Sequence, residues 1–123
     1  MDPRKGADMH VTSTTTISTT IDGEAASITP HGEIDAEFLP RLYATAHALP
    51  DTVTRLTWDL GDTSFMDVSG LHLMCEQRED ARRGGRAVAF TGLYEQPLRL
   101  LKLAADLFPA MAWEDFLPAA PAH

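Results

Sequence analysis

Three sets of residues in this chain could do chemistry: one hydroxyl where a strand gives way to a helix, a short acidic run, and five scattered histidines with a single cysteine. The hydroxyl is Ser69, within Ser64-Phe65-Met66-Asp67-Val68-Ser69-Gly70-Leu71. A β-rich run, Arg55-Leu56-Thr57-Trp58-Asp59-Leu60, precedes it, and a helical pattern from Ser69 to about Arg83 follows. A helix N-terminus leaves backbone N–H groups unpaired and carries a partial positive charge. A phosphate on Ser69 would therefore sit in a favourable field. The same serine would also serve as a plain N-cap, a role worth about 1 kcal/mol. These eight residues leave both roles open.

Other chemistries find less support. A nucleophile elbow needs glycine two residues before the serine, and Asp67 stands there. Its base would have to be His72, three residues on, since His10, His31, His47 and His123 are scattered. Metal binding needs clustered ligands; Glu33, Asp35 and Glu37, spaced by two, could mimic a cation site, but acidic residues at a helix start explain them more simply. Gly61-Asp62-Thr63-Ser64 lacks the Gly-Lys-Ser/Thr end of a phosphate-binding loop. Arg78, Arg82, Arg83 and Arg86 read as the solvated end of a helix, where arginine suits the dipole, before they read as a phosphate or partner site. Cys75 reads as core filler, and a lone thiol fits a reducing compartment. No cofactor is implied.

The elements that must position Ser69 follow from patterning. With 123 residues the chain fits one domain with a real core. Its net charge of −8 argues against nucleic acid and anionic membranes as partners. The first residues lack an apolar signal region and no run approaches the length of a membrane span, so the cytoplasm is expected. Residues 1–11 read as a flexible tail, 12–116 as one domain and 117–123 as a second tail. Thr12 to Ile21 and Glu24 to Thr29 form a hairpin around Asp22-Gly23. The pattern breaks at Pro30, and Asp35 caps a helix from about Ala36 to Ala48, with Phe38, Leu39, Leu42, Ala46 and Leu49 on its apolar face. Arg55–Leu60 and Ala87–Thr91 are strands; Leu93 to about Leu107 is a helix packing through Leu98, Leu101, Ala105 and Phe108; Ala110–Trp113 is a candidate for a short last strand, which would be the fifth. Strands alternating with helices after a hairpin imply an α/β fold: a small mixed sheet of four to five strands, antiparallel then parallel, with helices mainly on one face.

Gly32-Glu33-Ile34-Asp35 resembles the G-E-[LI]-D turn of STAS domains of the anti-sigma factor antagonist family, and Phe65-Met66-Asp67-Val68-Ser69-Gly70-Leu71 resembles their F-x-D-[ST]-S-G-[LV] signature. Gly84-Gly85 and the leucine-rich third helix fall where that family has them, so the likeness spans about Thr12 to Phe116. Val68 departs from the pattern, where many members carry serine or threonine; Ser69 is left as the matching acceptor. The resemblance implies a non-enzymatic bacterial regulator of transcription. Its unmodified form binds an anti-sigma factor that is also a serine kinase, and so frees a sigma factor. Phosphorylation at Ser69 blocks that binding, and a serine phosphatase restores it. Asp35, Asp67, Ser69 and Gly70 would lie at the partner surface, with Gly70 allowing close approach. The alternative is a STAS module held as a constitutive subunit of another complex, such as a lipid-transport ATPase. No Arg or Lys lies within eight residues of Ser69, so nothing sequence-local would clamp a phosphate. The modified protein is expected to keep its fold and change only its docking face.

Overall fold

The computed structural model describes residues 15–117. The tail expected at 1–11, the first residues of the expected hairpin, and residues 118–123 lie outside the described residues. Strand β1 (Thr16–Asp22) and strand β2 (Ala25–Ile34) form the antiparallel hairpin, closed by the pair Asp22 and Ala25 around Gly23. The tight turn puts Gly23 at φ +63°, which glycine tolerates without cost from a Cβ. Helix α1 (Leu39–His47) follows, then β3 (Arg55–Asp59), β4 (Thr63–Met66), α2 (Val68–Arg82), β5 (Ala87–Thr91) and α3 (Glu95–Leu107). Two 3₁₀ turns, Pro109–Met111 and Trp113–Phe116, end the described chain.

The five strands form one mixed sheet in the order β1-β2-β3-β5, with β4 pairing β2 beyond the end of β3. All pairings after the hairpin are parallel. Ala26, Ile28, Leu56 and Trp58 point into the core, while the alternate residues Ser27, Thr29, Thr57 and Asp59 are only half-buried. The helices therefore cover one face, as the α/β reading expects. Leu42 of α1, Leu73 and Met74 of α2 and Leu101 of α3 complete a core with Ile34 and Met66, all of them inaccessible or nearly so. The buried Trp58 indole N–H donates to Gln77 Oε1 at 3.2 Å, so the largest core side chain has its polar atom satisfied.

Four expectations are corrected. β2 does not stop at Pro30 but runs to Ile34. It pairs β3 over Ala25–Ile28 and β4 from Gly32, so Pro30 falls in the gap between the two ladders, where a missing N–H costs little. The first helix starts at Leu39, not Ala36. A start at Ala36 would require Pro40 to donate to the Ala36 carbonyl; a start at Leu39 puts Pro40 second, where no donor is needed. Ala110–Trp113 is not a strand, because Ala112 turns left-handed (φ +55°) and Arg78 takes the Met111 and Ala112 carbonyls. The fifth strand is β4, a short polar-flanked segment. Finally, α3 buries Leu101, but Phe108 ends the helix (φ −131°, ψ 64°) and is exposed.

Candidate functional site

The junction of β4 and α2 is built on Asp67. This residue is extended (φ −98°, ψ −162°), and its Oδ1 accepts from the Ser69 N–H at 2.7 Å. Asp67 is thus the N-cap, Val68 the first helical residue and Ser69 the second, which corrects the reading of Ser69 as a cap. The carboxylate already occupies the positive end of α2. Ser69 is 7% exposed, whereas Val68 beside it is 66% exposed. Among the described residues no group hydrogen-bonds the Ser69 hydroxyl. A Cβ on Gly70 would come within 2.9 Å of Met66 Cβ and Cγ. The close approach that Gly70 provides here is internal: it lets α2 fold back over the strand it has just left.

Two of the sequence-nominated acidic residues come together through the sheet. β2 and β4 are parallel neighbours with Ile34 opposite Met66, and the Asp67 N–H donates to the Ile34 carbonyl at 3.2 Å. Asp35 and Asp67 therefore leave the sheet side by side at its C-terminal edge, where parallel α/β sheets present their functional residues. Each does the same local job: Asp35 Oδ1 accepts from the Phe38 N–H at 3.1 Å, as Asp67 does from Ser69. Glu33 and Glu37 are exposed, and among the described residues no three His, Cys, Asp or Glu side chains could hold a metal ion.

Sequence reasoning missed Gln96. Its Oε1 accepts from the Met66 N–H at 2.9 Å and its Nε2 donates to the Met66 carbonyl at 3.0 Å. The side-chain amide pairs with the end of β4 as a neighbouring strand would, one residue before Asp67. Glu95, just before it, is held at φ +52°, an uncommon conformation for a non-glycine residue. No motif marks such a glutamine; only the register of α3 against β4 reveals it.

The remaining candidates fall elsewhere. His72 is exposed and Ser69 buried. A different Ser–His–Asp set is assembled: Ser18 Oγ lies 2.8 Å from His31 Nε2, and His31 Nδ1 lies 2.7 Å from Asp62 Oδ2. It sits on the open sheet face and ties β1 and β2 to the turn before β4. Each of the four arginines is engaged. Arg86 donates to the carbonyls of Val53, Ala46 and Pro50; Arg82 and Arg83 pair with Glu79 and Asp80; Arg78 holds the last 3₁₀ turns and stacks on Phe116. They form no free anion site. Beside Val68, a groove of about 390 Å³ runs along α2 between Leu71, Cys75, Met111 and Trp113, with Glu76 and Glu79 at its rim.

Three solved structures share this architecture. The anti-sigma factor antagonist SpoIIAA in its unphosphorylated form superposes with a TM-score of 0.63 at 19% identity, covering 86% of this chain and 89% of that one. An anti-sigma factor antagonist from Mycobacterium paratuberculosis gives 0.56 at 23% identity, over 78% and 84%. An antisigma-factor antagonist STAS domain from Rhodobacter sphaeroides gives 0.52 at 16% identity, over 63% and 86%. At these identities the likeness shows the fold. No curated protein sequence matches the chain. The family model described as "Mlab, STAS domain" matches residues 17–105, from β1 through most of α3, and the chain therefore belongs to the STAS domain family.

Proposed function

We propose that this protein is an anti-sigma factor antagonist whose unmodified form docks an anti-sigma factor with serine kinase activity through the β4–α2 junction, and that phosphorylation of Ser69 blocks the docking until a serine phosphatase reverses it. The observation that carries the reading is the pairing of Asp35 and Asp67 at one sheet edge, directly before Ser69 and beside exposed Val68 and Phe65. One structure with the same fold is of such an antagonist named for its unphosphorylated form, which supports the phosphorylation step by analogy.

The geometry suggests how the switch works. A phosphate adds roughly −1.5 to −2 charges at neutral pH. It would be added beside the Asp67 carboxylate, which already takes the Ser69 N–H. Residues 61–77 contain no Arg or Lys to pair with it. The modification therefore loads one face with like charge, and a partner docking there would have to bury charge without compensation.

Burial of Ser69 favours a second reading: a STAS subunit held constitutively in another complex, such as a lipid-transport ATPase, with Ser69 packing and never cycling. Incubation with ATP and candidate anti-sigma kinases, followed by mass spectrometry and a binding assay, separates the two. Phosphate on Ser69 alone, with loss of kinase binding in Ser69→Asp and retention in Ser69→Ala, is the expected result. No phosphate from any candidate, with co-purification of an ATPase indifferent to Ser69→Asp, selects the second.

A further inference from the structure

Helix α3 buries Pro97, Leu101 and Ala104 against the domain, yet its other side is also apolar. Leu103 is 52% exposed and Leu107 60%, half-buried Leu100 completes the spacing i, i+3, i+7, and Phe108 is exposed at the end. Single exposed leucines are ordinary, but a leucine ridge at this spacing is the seam by which helices pair. Arg99 and Asp106 lie along one flank of that ridge, seven residues and thus about 10 Å apart along the axis. Both are exposed, and among the described residues neither forms an ion pair, not even Asp106 with Lys102 four residues earlier.

We propose that this ridge joins two copies of the chain in an antiparallel, two-fold α3–α3 pair. A two-fold interface sets one surface against itself. In the antiparallel arrangement Leu100 of one copy meets Leu107 of the other, with Leu103 near the axis. The same flank of each helix then faces its counterpart, so each Arg99 faces the other copy's Asp106, twice over. In a parallel pair that flank would meet the flank carrying Pro97 and Ala104, which is uncharged and buried in its own domain. The order of charge along one helix thus selects both the occupant and its direction. One short helix covers less than a standard interface, so the dimer is weak, dissociating on the order of tens of micromolar. The inference does not depend on docking at Ser69.

Sedimentation of the full chain from about 5 μM to about 1 mM spans that range and tests the pair. A reversible monomer–dimer equilibrium is expected. Leu103→Glu removes the dimer without moving the thermal melt. Arg99→Asp and Asp106→Arg each weaken dimerisation by about tenfold, and the two together restore it to within about threefold. A chain that stays monomeric throughout overturns the proposal, and leaves the ridge to a different protein. A dimer that survives Leu103→Glu, or that the double exchange does not restore, overturns it as well.

Discussion

The two ends of α2 treat charge differently. Its first turn meets a carboxylate, Asp67, and its last turn carries arginines, so both ends suit the helix dipole. At the C-terminal end every arginine is tied down, and Arg86 alone bridges three carbonyls from α1 and the loop after it. At the N-terminal end the two capping residues, Asp35 and Asp67, are acidic, the nearby Val68 and Phe65 are exposed, and residues 61–77 contain no Arg or Lys. One end is closed upon itself and holds the fold; the other is the end at which docking and an added phosphate are proposed. The basic cluster in this sequence thus marks the end of the helix whose charges serve the fold.

The contrast can be broken by substitution. Arg86→Ala should cost about 3 kcal/mol, because three carbonyls lose a charged donor, and should leave partner binding intact once the protein is folded; urea unfolding reads the first and a pull-down the second. Gly70→Ala should cost about 2 kcal/mol from overpacking against Met66, seen as a lower urea midpoint at unchanged slope. Asp67→Ala should cost about 1 kcal/mol through the lost cap, while Ser69→Ala, inside the helix and not capping it, should stay within about 0.5 kcal/mol. A larger cost at Ser69 than at Asp67 in the same melts would reverse the assignment of the cap. The smallest effect belongs to Tyr43, whose phenol is held above its ordinary pKa of 10.0 by burial and then by Glu76, Asp80 and Cys75. The folded state holds that proton more tightly than the unfolded chain, so the contribution is intact below pH 10 and is lost as pH rises through the raised value. Tyr43→Phe should flatten the alkaline fall in stability, measured by denaturation from pH 9 upward.

What could be read in advance had local causes. Asp22-Gly23 announced its hairpin, and Phe38, Leu42, Ala46 and Leu49 announced a helix face, because turn chemistry and helical periodicity act within a few residues. The helix that begins around Ser69 was legible for the same reason, but the strand before it was expected at Arg55–Leu60, which is β3, and the strand that leads into Ser69 is β4. The role of Ser69 as a cap was misread because Asp67 and Ser69 are both good capping residues, and only the helix boundary chooses between them. β4 escaped because Thr63-Ser64 carries no apolar alternation; its strand conformation comes from pairing with the end of β2. The burial of Ser69 and the Gln96 amide at Met66 depend on contacts about thirty residues apart in sequence or on packing depth, which no local pattern encodes.

The Gln96 amide has a further consequence. An unpaired strand edge offers its N–H and C=O groups as a template on which another chain can add a strand, the first step toward fibrous aggregation. At the end of β4 both groups of Met66 are already occupied by one side chain, so a foreign strand arriving there would find its first rung taken. That single glutamine blocks sheet extension at this edge, beside the surface proposed for docking.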